Sequence, residues 1–358
     1  NEIVSYTLSG ADAGSFEVSG STLKLISSAS ADFETKSSYS VTVTATDSDS
    51  NTYSQAFSLT VSDLAEAETV SGTVVDGYVS GSTVKLLDVE GNILATTTTN
   101  SSGQYSFEVS DNKGVKIVAD GGIDTLTGEA VTVTLTASKD SKYVSALTTI
   151  VEAAGSDAAT VLANLGLSSD FDLETSNPLE NLEAQKVNAS LINIMAIGEA
   201  LLEGAGLSDS AGDELIVAQI INTLKTGTDI SSATAIKSII DTTSAGLSDD
   251  IKTKVDALSN NVAQSLSNSN AQITAAGSVS QIATYQKAVL DDSSSLLTSI
   301  VAAVQTGGTL EVVSQTALES QAKAAALDLG VNVSPFITLD SVVSIKENIL
   351  AGDGVLTA

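Results

Sequence analysis

Apolar and polar residues alternate with period two through "STLKLIS", "SYSVTVTATD" and "TYSQAFSLTVSD" near the start of the chain, with Ser, Asp and Gly at the breaks. Successive side chains of an extended strand point to opposite faces, so this spacing predicts an antiparallel β-sandwich over residues 1–63. A connector over 64–69, acidic in "LAEAE", leads into a second β region over 70–143. There "TVSGTVVDG", "STVKLLDVEGNILATTTTN", "GQYSFEVS", "VKIVADGG" and "AVTVTLTAS" predict five or six strands, with hairpin turns at Glu90-Gly91-Asn92 and Ser102-Gly103.

After Tyr143 the period changes to that of helices. Leu191, Ile194, Met195, Gly198, Leu201, Leu202 and Ala205 recur at three- and four-residue steps, as do Ile251, Val255, Leu258, Val262 and Leu266. Ser210, Ser231, Ser248 and Thr309 are predicted helix starts, and Gly204, Gly246, Gly307 and Gly330 predicted stops. These stripes predict a helical bundle over 144–330, after which residues 331–358 return to a β pattern. The fold class expected is therefore multidomain β + α: two antiparallel β-sandwiches, a helical bundle and a C-terminal β-strand.

Composition narrows the chemistry. Hydrophobic residues make up 42% of the 358 residues but aromatics only 4%, so Val, Ile, Leu and Ala must fill the cores. The formal net charge is -29, from 44 Asp and Glu against 15 basic residues, all Lys. Such a surface repels phosphate backbones and anionic lipid and suits divalent cations. Neither a nucleic-acid partner nor membrane insertion is expected, since no apolar run approaches the ~18 residues of a span. Without Cys or His there is no thiol nucleophile, no imidazole base and no zinc site of the usual kind. Without Arg there is no bidentate anion clamp. No carboxylate pair or lysine stands in a catalytic motif, so the chain is read as not an enzyme.

Residues 1–63 resemble the cadherin-like repeats of large bacterial surface proteins through "YTLSGADAGSFEVSGSTLKL", "ADFETKSSYSVTVTATDSDSN" and the closing "FSLTVSD" before an acidic linker. The resemblance implies calcium as cofactor. Asp32 and Glu34 of the Asp32-Phe33-Glu34 element match the family's acidic pair, and Asp63 and Glu66 match its linker ligands. Asp47 and Asp49 lie in an acidic hairpin turn with a less direct role. The chemistry agrees, because calcium takes six to eight hard oxygens that clustered carboxylates and carbonyls can supply.

A cadherin-like repeat also opens with a strand carrying Glu-Asn, then a glycine turn and a short apolar run. Residues 1–63 have no such strand, whereas "VVSIKENILAGDGVLTA" in residues 341–358 looks like it, with Glu347 at the family's first calcium-binding glutamate. The two ends of the chain read as complementary pieces of one domain. Val343, Ile345, Ile349, Val355 and Leu356 are the apolar residues of this donor strand. Burying four of them would contribute roughly 6–12 kcal/mol before association costs.

Residues 70–140 resemble the carboxypeptidase-regulatory-like, transthyretin-like β-sandwich modules of bacterial surface proteins. "VSGTVVDGYVSGSTVKLLDVEGNILATTTTNSSGQYSFEV" carries that resemblance, which brings no peptidase activity with it. "DFDLE" over 170–174 reads as an exposed acidic loop with a weaker calcium signal, and the sequons at Asn100, Asn188 and Asn332 read as chance.

The function expected is that of an extracellular or bacterial cell-surface structural protein whose partners are other copies of itself, with cell-surface components as further candidates. The terminal strand of one copy would complete the first sandwich of the next, giving a calcium-stiffened filament. Alternatives are a strand folded back within a monomer, one period of a tandem-repeat adhesin, and a surface ligand-binding module.

Overall fold

The computed structural model describes residues 2–64, 67–109, 113–168, 171–207, 209–291 and 295–331. The expected C-terminal strand, with Val343, Ile345, Glu347, Ile349, Val355 and Leu356, lies outside these residues, as does Glu66. The chain is a mixed one, strands first and helices after, and it divides into two compact units that meet in sequence at Ala67 and Glu68.

In the first unit, β1 (Ile3–Ser9), β4 (Ser38–Asp47) and β5 (Thr52–Thr60) form an antiparallel sheet in the order β1-β4-β5. Between β1 and β4 the chain makes a hairpin of β2 (Phe16–Ser19) and β3 (Thr22–Leu25). Register explains the alternation in the sequence. Leu8 pairs with Val43, Ala45 with Tyr6 and Tyr53, Val41 with Phe57 and Tyr39 with Leu59, so these side chains share one face. Thr7, Thr44 and Ser54 take the other face, as do Ser40 and Ser58. The core of this unit is Phe16, Tyr39 and Val41, with Leu8, Leu23, Leu25 and Val61 packed around it. Phe16 meets Tyr39 edge-on, with centroids 5.7 Å apart at 88°. Asp12 ties hairpin to sheet: its carboxylate accepts from Ser40 N at 2.7 Å and pairs with Lys36.

The second unit begins at β6 (Glu68–Val74), which leads through β7 (Val79–Ser80), β8 (Thr83–Leu87), β9 (Ile93–Thr98), β10 (Gln104–Val109), β11 (Lys116–Asp120), β12 (Ile123–Asp124) and β13 (Leu135–Ser138) to β14 (Tyr143–Val144). Two sheets result, in the orders β10-β6-β14 and β13-β11-β8-β9, with β7 and β12 paired beside them. Among the described residues all pairings are antiparallel except that of β14 with β6, where Thr73 N donates to Lys142 O at 2.9 Å and Val75 N to Val144 O at 2.8 Å.

The helices follow directly: α1 (Ala146–Ala153), α2 (Ala158–Asn164), α3 (Leu182–Ala205), α4 (Asp209–Lys225), α5 (Ala233–Ser244), α6 (Asp249–Ala275), α7 (Val279–Leu290), α8 (Leu296–Thr306) and α9 (Gln315–Asp328). Ser145 starts α1 by accepting from Thr148 N while Thr148 Oγ1 accepts from Ser145 N, a reciprocal cap. The same residues anchor the helix to the sheet, since Thr148 Oγ1 donates to Thr136 O and Thr136 N donates to Thr149 Oγ1, each at 2.8 Å. α3 is buried on nearly all sides and packs against α1, α4, α6, α7 and α8. One continuous apolar core runs from Val70 and Phe107 through Ile150 and Ile197 to Ile300. The change of texture at Tyr143 thus falls inside one compact unit. No described helix is long and apolar enough to cross a membrane.

Candidate functional site

The first unit covers only part of its apolar face. Val41 is fully buried and Tyr39 is 9% exposed beneath the β2–β3 hairpin, whereas Tyr53 is 71%, Phe57 43% and Leu59 40% exposed along β5. β5 is also an edge: it pairs with β4 on one side and, among the described residues, with no strand on the other. A nine-residue edge strand combines unsatisfied backbone groups with an open apolar stripe, the combination that templates addition of another strand.

The acidic loop lies between β3 and β4. Asp32 closes a turn on itself, its carboxylate accepting from Glu34 N at 3.1 Å, Thr35 N at 3.3 Å and Thr35 Oγ1 at 2.7 Å. The Thr35 hydroxyl, with these backbone donors, holds Asp32 below the ordinary carboxylate range. Glu34 titrates above it. A hydrogen bond from its own N–H works the other way, but desolvation, a hydrogen bond with Asp32 and the charges of Asp63 and Asp32 outweigh it. Glu34 therefore lies within electrostatic reach of both Asp32 and Asp63. Among the described residues no three His, Cys, Asp or Glu side chains converge into a metal cage, and the other expected ligands, Glu66 and Glu347, lie outside those residues.

The second unit contains a near copy of this loop. In Asp172-Leu173-Glu174-Thr175, Glu174 N donates to Asp172 Oδ1 at 3.0 Å and Thr175 Oγ1 to Oδ2 at 2.5 Å. An Asp-x-Glu-Thr tetrapeptide thus folds on its own donors, by the side-chain-to-backbone bonding that favours Asp in turns. The Asp47–Asn51 turn is closed in a related way, with Asp49 N and Asn51 N each donating to Asp47 Oδ1 at 2.9 Å. Hydrogen bonding alone accounts for the loop geometry, so any calcium specificity at Asp32 must come from groups outside the tetrapeptide, such as Asp63.

A second polar centre, at Asp76 and Asp124 in the second unit, escaped sequence reasoning. Both side chains are buried, and Asp76 accepts from Gln286 of α7, 210 positions later. The signal was an aspartate between Val74-Val75 and Gly77-Tyr78-Val79, a charge inside an otherwise apolar run. No family model, curated protein or solved structure matches the chain.

Proposed function

We propose that the chain is a non-enzymatic extracellular structural subunit that joins copies of itself head to tail, residues 341–358 of one copy completing the first unit of the next. The observation that carries this reading is the open stripe of Tyr53, Phe57 and Leu59 on β5, which among the described residues pairs on one side alone, beside a core in which Phe16, Tyr39 and Val41 are the buried apolar side chains among those described. On this reading the first unit is a cadherin-like sandwich lacking its first strand. The strands of the second unit form a carboxypeptidase-regulatory-like sandwich carrying a helical bundle. The incoming segment has two stretches with apolar residues, one carrying Val343, Ile345 and Ile349 and one Val355-Leu356, and among the described residues the unit has two small sheets, one ending at β5 and one of β2 and β3. Each stretch would add to one sheet. Calcium at Asp32, Glu34 and Asp63, with Glu66 and the incoming Glu347, would relieve the repulsion that raises Glu34 and stiffen the joint. The strongly acidic surface keeps subunits soluble between joints and favours a saline, calcium-containing location at or outside a bacterial cell surface.

Deleting 341–358 should abolish assembly, and that peptide added back should cap the groove and leave monomers. Long assemblies formed by the truncated chain would overturn the proposal. The same open stripe would be filled by a covalent neighbour in a tandem-repeat adhesin. Boiled, denatured material from the native source separates the two, running at one chain length for a filament and at several for an array.

A further inference from the structure

Asp76 follows β6 and Asp124 ends β12, and each is 2% exposed in the interior of the second unit. Gly77 lets them approach: its N–H donates to Asp124, and a Cβ there would stand 1.9 Å from Asp124 Oδ1. Their surroundings differ in kind. Asp124 accepts from Leu126 N and Thr127 Oγ1, both at 2.8 Å, as well as from Gly77 N, fixed donors that stabilise an ionised carboxylate. Among the described residues the Asp76 carboxyl meets neutral side-chain amides alone, Gln286 Nε2 of α7 at 2.9 and 2.8 Å across its two oxygens and Asn188 Nδ2 of α3 at 3.5 Å. Neither aspartate pairs with a lysine among those residues. Lys287, next to Gln286 on α7, is engaged by Glu129, by Asp291 at 3.6 Å, by Asp328 of α9 at 3.5 Å and by Thr127 O at 3.2 Å.

The site has no means of holding two charges. A cavity of about 20 Å³ beside the pair is walled largely by apolar side chains such as Val131, Ile192 and Leu297, room for one water molecule and too little to hydrate a second anion. Glu129, on the same cavity, is already matched by Lys287. Adjacent carboxyl groups in such a place ionise one at a time. Asp76 is the one kept neutral: burial, then the charge of Asp124, pushes its carboxyl well above the usual range, and the Gln286 amide offsets this only in part. A neutral Asp76 has a proton to donate, and α3 supplies an acceptor. Asn188 is fully buried, and its Oδ1 has no hydrogen-bond partner among the described residues. Turned by half a turn, that amide presents the oxygen to Asp76 and receives the proton, which satisfies both groups at once.

We propose that Asp76 and Asp124 share one negative charge, Asp76 as the neutral acid and Asp124 as the carboxylate, and that this acid pair is a pH-sensitive lock between the strands of the second unit and helices α3 and α7. The lock spans the interface because Gln185 Nε2 of α3 also donates to Asp76 O at 2.5 Å, so both helices grip the turn after β6. Losing the proton sets a second anion beside Asp124 with no cation to meet it, and the grip loosens. A carboxyl raised by folding binds its proton more tightly in the folded chain. Stability is therefore greatest in acid and falls as pH rises from the unfolded value, about 4, through the folded one. Other groups of the unit leave that window clear. Asp88 and Asp172, depressed by hydrogen bonds from Asn92 and Thr175, titrate at more acid pH, and Lys139, Lys287, Tyr105, Tyr143 and Tyr285, all raised, titrate in alkali.

The test uses the full chain. Its infrared spectrum in heavy water at about pH 7, where ordinary carboxyl groups are ionised, should show the carbonyl band of an un-ionised carboxyl. The urea midpoint, followed by helical circular dichroism, should fall between about pH 5 and 8, the folding equilibrium constant weakening by up to about tenfold per pH unit. Asp76→Asn, which mimics the neutral acid, should remove the band and flatten the profile. A chain with no such band, a band that survives Asp76→Asn, or a midpoint that does not fall overturns the proposal. If Asp76→Asn does not fold, Asp124→Asn takes its place: without the neighbouring charge the band should disappear at lower pH, and an unmoved band overturns the proposal. The pair lies within the second unit, so these readouts are independent of the joint at β5.

Discussion

Replacing Phe57 with serine perturbs the proposed joint without emptying the core beneath the hairpin. Phe57 sits on the apolar face of β5 opposite Val41, and 43% of its surface is open. For a side chain of about 200 Å², that fraction is roughly 90 Å². Covered by an incoming strand at about 25 cal/mol per Å², it contributes about 2 kcal/mol per joint. Phe57→Ser should therefore raise the critical concentration for assembly roughly 30-fold, at about 1.4 kcal/mol per factor of ten. Sedimentation velocity and light scattering over a dilution series measure this directly. Ser58→Ala, on the opposite face of the same strand, serves as the control and should assemble as the unaltered chain does. If Phe57→Ser assembles at the unaltered concentration, the stripe on β5 is not the joint, whatever else holds copies together.

Other consequences concern the units themselves. Gly77→Ala would drive a methyl into Asp124 Oδ1 and disturb its hydrogen bonds, so the second unit should lose on the order of 3 kcal/mol in denaturant unfolding; an unchanged midpoint would contradict the contact. Asp12 is held below the ordinary carboxylate range, first by its hydrogen bond with Lys36 and then by Ser40 N. A carboxylate depressed by folding stabilises at pH above its unfolded pKa, and the contribution is lost as pH falls through the lower folded value. The first unit should weaken with acid below about pH 4, and Asp12→Asn should flatten that part of the profile, as followed by tyrosine near-ultraviolet circular dichroism.

Local structure was largely legible in the sequence because it depends on neighbours along the chain. The alternation in β4 and β5 gave the strands, Ser248 does precede α6, and Gly307 does end α8 at φ 65°. Other helix ends were displaced for identifiable reasons. Ser232 and Ser314, not Ser231 and Thr309, accept the capping N–H groups of α5 and α9. Gly204 does not stop α3, because Gly206 at φ 113° does. A Cβ on Gly204 would lie 3.3 Å from Val304, so that glycine serves close packing against α8. The acidic loop was legible as a loop, while the self-closing turns at Asp32 and Asp172 show that its four residues carry little metal specificity by themselves. Least legible was the burial of Asp76, because the groups that surround it arrive on α3 and α7, more than a hundred positions away.

The parallel stitch between β6 and β14 has a mechanical consequence. Tension entering at Glu68 pulls β6 by its leading end, while the rest of the unit holds β14 by its trailing end, where Ser145 roots it into α1. In a parallel pair those two ends lie at opposite extremes of the ladder. The force is then sheared across the Thr73 and Val75 bonds together and cannot peel them apart one at a time. A subunit strung in a thread would thereby carry load through its stiffest direction.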